Sequence, residues 1–285
     1  MESQVHILHS SDFYQIRDFR CACTKCSISK LEQGAHFFII FVRQGFYEQR
    51  VFRGHNEMHV GRLLVSKPEI EFNIRHIDNH PDLCTSFRFE PSFYEQIKEH
   101  YGKEGRWFFA NPDLHSVLLS SGPAIEFLHQ HILSRVGSSS KLEMDVLVIR
   151  LLEKVMHTLG NRLSVVPVPE GVKKYHLVTM ENARDYLFRH FTEDVSLAQL
   201  ADHCHVSTFH FSRIFKAVLN TSPHQYLTGL RLNHAQLLLQ STRLPVAQVA
   251  LQSGFNSLEH FATAFRQRFG CTPQHNRKFE KESFG

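Results

Sequence analysis

The stretch Ser196-Leu-Ala-Gln-Leu-Ala-Asp-His-Cys-His-Val-Ser207-Thr-Phe-His-Phe-Ser-Arg-Ile-Phe215-Lys decides how the second half of this chain folds. Ser196 followed three places later by Gln199 is a capping box: hydroxyl and amide each satisfy a backbone N–H left over at a helix start. Leu197, Leu200 and Ala201 then fall along one helix face, and Ser207 opens a second helix with the stripe Phe211, Ile214, Phe215. Two short helices and a tight turn make a helix-turn-helix. The pattern returns at Val246-Ala-Gln-Val-Ala250-Leu-Gln-Ser-Gly254-Phe-Asn-Ser257-Leu-Glu-His-Phe261-Ala-Thr-Ala-Phe265. Aligning Ala201 with Ala250 puts Ser207 near Ser257, Phe211 on Phe261 and Phe215 on Phe265, with one extra residue in the second turn. Between the copies, Pro223 suits a helix start and Pro245 lies past its end, so one helix over 223–240 joins them. At 1.5 Å per residue that connector is roughly 27 Å long.

Arg213, Phe215, Lys216, the run Tyr226-Leu-x-x-x-Arg231-Leu-x-x-Ala235-x-x-Leu238-Leu239, Val249-Ala250, Gly254-Phe255, Phe261, Phe265-Arg266, Gly270 and Thr272-Pro273 resemble the signature of AraC/XylS-type transcriptional regulators over nearly all of residues 175–278. Two positions depart from it. His205 stands where the family has its turn glycine, and Asn276 replaces the tyrosine before Arg277. The resemblance implies an α+β chain of two domains: an N-terminal cupin-like β-barrel sensor with flanking helices, then an all-α tandem helix-turn-helix domain. It implies double-stranded DNA as a partner, contact with RNA polymerase, a homodimer, and an effector that is a small molecule, a metal or a redox signal, with activator and repressor both left open. The domains expected are 1–112 for the sensor, 113–160 for a helical dimerisation pair, 161–174 for a linker and 175–285 for the DNA-binding part. The connector would hold two recognition helices about one turn of DNA apart.

Charge agrees with that division. Residues 171–285 carry 13 Lys/Arg against 8 Asp/Glu, while residues 1–170 carry 19 against 20, so the basic excess lies where a polyanion would bind. No run approaches the ~18 apolar residues of a membrane span, and Met1-Glu-Ser-Gln-Val-His lacks the charged start and apolar core of a signal peptide. A cytoplasmic protein without membrane partners is expected, its six cysteines reduced.

Residues 10–90 read as strands. His36–Arg43 is a buried run, Phe46–Phe52 alternates toward a turn at Arg53–Asn56, Met58–Ser66 ends at Lys67-Pro68, and Glu71–Arg75 and Cys84–Phe89 add two more. Many short strands suggest a sandwich or a barrel. Helices follow at 93–101, 123–136 and 141–159, the last with the stripe Leu142, Val146, Ile149, Leu152, Val155, Met156, Leu159. The alternative to dimerisation is that these helices only close the barrel core. Pro167, Pro169 and Gly171 mark Asn161–Lys174 as the linker.

By motif position, Phe209, Ser212 and Arg213 face the major groove in the first motif, with Thr208 and His210 beside them and Lys216 also expected at the DNA. Arg213 suits guanine and Phe209 a thymine methyl. Intradomain packing is the competing reading for Phe209, and a phosphate contact for Arg213. The second motif offers Ser257, Leu258, Glu259, Ala262 and Thr263, none of them basic, so the expectation is discrimination by the first motif and backbone clamping by Arg266 and Arg268 of the second. No catalytic residues emerge: P-loop, Gly-x-Ser-x-Gly and paired-carboxylate contexts are missing, and a non-enzyme is expected.

Cys21-Ala-Cys23-Thr-Lys-Cys26 with Cys84 on a later strand leaves two readings open. One is zinc or another metal, or a redox-active thiol near Lys25; the other is ordinary buried cysteines. His55/His59 and His76/His80 lack the His-x-His plus Glu arrangement of enzymatic cupins. The rivals are thus a metal-dependent cupin enzyme or self-alkylating sensor on the same DNA-binding half, and an architectural DNA binder without sequence preference.

Overall fold

A computed structural model describes residues 3–21, 28–51, 54–76, 81–161, 165 and 167–277. The chain divides into two compact units. The first comprises residues 1–181 with 217–220, and the second comprises 182–216 and 221–285.

Among the described residues, ten strands and four helices build most of the first unit. The strands are β1 Ser3–Ser10, β2 Tyr14–Cys21, β3 Glu32–Gly34, β4 Phe37–Gln44, β5 Tyr47–Val51, β6 Gly54–Met58, β7 Arg62–Ser66, β8 Ile70–His76, β9 Leu83–Phe89 and, later, β10 Ser116–Ser120. The helices are α1 Pro91–Tyr101, α2 Arg106–Phe109, α3 Pro123–Arg135 and α4 Lys141–Gly160. The strands form two antiparallel sheets, a six-stranded one in the order β1-β2-β9-β4-β7-β10 and a four-stranded one in the order β3-β8-β5-β6. Among the described residues the two sheets share no strand, so the expected cupin-like barrel is not a closed one.

The unbroken apolar run of β4 has a physical reason: both faces are covered. Phe38 and Val42 join Tyr47, Met58 and Ile70 between the sheets. On the opposite face, Phe37 stacks on Tyr94 of α1 at 5.0 Å and Phe41 on His129 of α3 at 4.2 Å.

Several boundaries differ from expectation. Gly54, His55 and Asn56, expected in a turn, lie in β6, because β5 and β6 close a tighter hairpin with Val51 opposite Gly54. The run from Met58 to Ser66 is interrupted at Gly61, whose φ of 85° favours glycine, so β7 begins at Arg62. In α4, Met144, Leu147, Val148 and Leu151 are buried, while Leu142, Val146 and Ile149 are 73%, 41% and 38% exposed. The expected single stripe thus splits, and its first three members face solvent. The linker expected over 161–174 stops at residue 169, since α5 runs from Glu170 to His190. Its first turn is pinned by Lys173, whose ammonium lies 2.6 Å from both Glu57 and Glu170.

The second unit holds the rest of α5 with α6 Leu197–His203, α7 Thr208–Leu219 as far as Lys216, α8 Pro223–Ser241, α9 Val246–Gln252 and α10 Leu258–Phe269. Among the described residues no helix is long and apolar enough to cross a membrane.

Candidate nucleic-acid interface and ligand cavity

The two helix-turn-helix motifs repeat at the level of single hydrogen bonds. The Val206 amide donates to Ala201 O and the Phe255 amide to Ala250 O, each at 3.0 Å. The residue just before each donor is left-handed, His205 at φ 56° and Gly254 at φ 83°. Each turn then reaches a serine that accepts from the third amide of its recognition helix, Ser207 from His210 and Ser257 from His260. The cores match as well: Phe211–Phe215 and Phe261–Phe265 both stand 5.5 Å apart, all four rings buried.

α8 ties the motifs together. Its Ser222 and Gln225 form a capping box ahead of Pro223, and Tyr226 meets Phe215 edge-on at 5.5 Å. Arg231 donates to Phe191 O and Glu193 O, both at 2.7 Å, and its Nε lies 2.9 Å from where a Cβ on Gly254 would stand. The Arg277 guanidinium donates to Leu244 O, which anchors the helical turn over 273–277 despite Asn276.

The candidate recognition residues are presented outward. Thr208, Phe209, Arg213 and Lys216 are exposed on α7, and His210 and Ser212 are half-buried. Phe209 is 77% exposed, which removes intradomain packing as its reason for being there. Ser257, Leu258, Glu259, Thr263 and Arg266 are exposed on the second motif, with Ala262 half-buried and Arg268 exposed nearby. His260 escaped the sequence reading; it occupies the place of His210 and is exposed, and the serine-to-histidine spacing was the signal. Cys204 sits behind the first turn, its thiol pushed up to about 11 by burial, so it packs as a neutral thiol.

In the first unit a cavity of about 420 Å³ opens between the sheets. Phe19, Phe38, Ile40, Phe72 and Ile74 give it an apolar middle. Arg17, Arg88 and His36 gather at one part of its wall. Burial and then the neighbouring Arg88 hold Arg17 below the usual guanidinium range, and His36 is lowered for the same two reasons. The Nε atoms of Arg17 and Arg88 are buried without a hydrogen-bond partner among the described residues.

Cys21 and Cys84 line the same cavity, together with Tyr47, His76 and Asp82. They share a face because β2 and β9 pair with Phe19 opposite Cys84, two residues from Cys21. Cys84 Sγ lies 3.6 Å from Tyr47 Oη and 3.5 Å from Asp82 Oδ2, and burial with Asp82 alongside raises its thiol well above the ordinary value. Cys23 and Cys26 lie outside the described residues, as does His80. The His59 side chain is wholly buried with Nδ1 2.7 Å from Val60 O, while His55 is exposed. His76 faces Cys21.

These features define a tandem helix-turn-helix protein carrying a separate β-sheet unit with a ligand-sized cavity. A family model described as a helix-turn-helix domain matches residues 200–278. The HTH-type transcriptional regulator ArgR of Pseudomonas aeruginosa is 41% identical over 118 residues, 41% of this chain and 36% of that protein. The bifunctional transcriptional activator/DNA repair enzyme AdaA of Bacillus subtilis is 31% identical over 97 residues, 34% of this chain and 46% of that protein. Among solved structures, an AraC-type transcriptional regulator from Chromobacterium violaceum is 34% identical, over 35% of this chain and 90% of that one, with a TM-score of 0.34. Over residues 200–278 the chain carries a helix-turn-helix domain, and it is similar to proteins named as HTH-type transcriptional regulators. It spans between about a fifth and about half of the length of the first curated relatives it matches.

Proposed function

We propose that this protein is a sequence-specific transcriptional regulator that inserts α7 and α10 into two successive major grooves and takes an effector in the cavity of its β unit. The observation that carries the reading is the duplicated motif with outward recognition faces: an apolar core behind each helix, and exposed Phe209 and Arg213 in front of the first. The basic excess of residues 171–285 supports the same partner. Curated relatives that match the chain over part of its length are named HTH-type transcriptional regulators.

The division of labour follows from the two faces. Arg213 supplies a bidentate donor for guanine, whereas Glu259 accepts from cytosine but repels phosphate. Sequence discrimination therefore falls mainly to α7, and Arg266 and Arg268 of α10 hold the backbone. Selection of genomic fragments by the purified protein, followed by footprinting, tests this. Two protected windows one helical turn apart are the expected result, and uniform affinity across sequences would instead mark an architectural binder.

The cavity suits a small organic anion with an apolar body, its charge met by Arg17 and Arg88 and its body by Phe19, Phe38 and Phe72. Such a ligand changes DNA binding only to the extent that it favours one state of the protein. Pairing of two copies through the exposed Leu142, Val146 and Ile149 of α4 completes the reading, with the regulator acting in the cytoplasm and engaging RNA polymerase.

A further inference from the structure

From the far wall of the cavity we infer a binding site for a zinc-class divalent cation, formed by Cys21, His76 and Asp82. Cys21 ends β2, His76 ends β8 and Asp82 precedes β9, so three segments deliver one donor each. Cys21 Sγ lies 3.7 Å from His76 Nδ1, and the three donor atoms all fall within 4.8 Å of one another. All three residues are buried or nearly so. A tetrahedral ion with thiolate and imidazole at about 2.3 and 2.0 Å needs donors roughly 3.5 Å apart. Cys21 Sγ stands against Nδ1 of the ring and Asp82 Oδ1 against Nε2, so the set closes on one ion when the His76 ring turns to aim a single nitrogen between them.

One contact separates this reading from a histidine-activated thiol. Asp82 Oδ1 sits 2.6 Å from His76 Nε2, yet it makes no hydrogen bond among the described residues, because it lies off the line an N–H would take. A relay needs that hydrogen bond to orient the ring, whereas a shared cation satisfies carboxylate, imidazole and thiolate together. Thiolate with imidazole and carboxylate is a donor set for zinc or cobalt rather than for magnesium or calcium. Cys84 supports the site from behind through Asp82 Oδ2. Cys21, His76 and Asp82 all line the cavity, so an ion held by them would be open to an anionic ligand there.

The site does not depend on the DNA-binding reading, and its test needs no DNA. The full-length protein, stripped by chelator under reducing conditions, is titrated with Co(II) as an optical probe. One equivalent should bind with a thiolate-to-cobalt charge-transfer band and be displaced by Zn(II). Cys21→Ser should abolish the band, and His76→Ala and Asp82→Asn should each weaken binding at least 10-fold. Thermal melts establish that each variant folds, and Cys271→Ser, in the other unit, should bind like the parent. The inference is overturned if no cobalt binds, if binding survives Cys21→Ser and His76→Ala, or if it is lost in a Cys23→Ser/Cys26→Ser double variant that keeps Cys21. Fast alkylation of metal-free Cys21 that depends on His76 would overturn it in favour of the activated thiol.

Discussion

His205 holds a left-handed backbone without being glycine, at a cost of roughly 1 kcal/mol that Gly254 does not bear in the second copy. His205→Gly should therefore stabilise the second unit by about 0.5–1 kcal/mol, read as a rise in its melting temperature. The opposite exchange is harsher. Gly254→Ala adds a Cβ 2.8 Å from Phe191 O at φ 83°, and a loss of about 2–4 kcal/mol is expected from strain and collision together. His59 gives the first unit an acid sensitivity. Burial, helped by Arg62, lowers its pKa from 6.5 to about 3. The unfolded chain binds that proton first as pH falls, so the contribution to stability is intact above pH ~6.5 and is lost progressively toward pH ~3, by on the order of a few kcal/mol. Melting temperatures across that window should fall less steeply for His59→Gln.

At the level of helices, short-range grammar carried most of the information. The Ser196–Gln199 box, the Ser207 and Ser257 caps and the phenylalanine stripes each act within one or two turns, so they could be recognised from spacing, and they pre-form both motifs. Ser196→Ala should cost about 1 kcal/mol and fray α6 first, visible as faster amide exchange there. What local spacing could not show was long-range. β10 was missed because its apolar run joins β7 from more than fifty residues away. The early half of α4 was misjudged because periodicity alone cannot say which of two apolar faces a helix buries. Residues 21, 76 and 82 carry no shared pattern in the sequence; only the pairing of β2 with β9 and the end of β8 bring them together. On the recognition helices, Arg213→Ala should reduce discrimination among operator variants by about 1–3 kcal/mol, whereas Glu259→Ala should change it little. Equal losses in a binding competition would contradict the assignment.

For the whole protein, electrostatics and assembly are the testable quantities. Affinity for DNA should fall steeply with salt, and Arg266→Ala should flatten the log–log slope by about 1 without reordering preferred sequences. Replacing Leu142, Val146 and Ile149 with glutamine should leave the fold intact, since these side chains touch water, and should shift sedimentation toward the monomer if the exposed face of α4 pairs two copies.

The acidic, aliphatic front of α10 has an evolutionary corollary. On the proposed division of labour, base pairs beneath α7 would have to stay fixed for occupancy to persist, whereas those beneath α10, held mostly by their phosphates, would be free to drift. Promoters could then be gained or lost by point changes in only one half of each site, and a regulon of this protein would spread through a genome with one conserved box and one degenerate one.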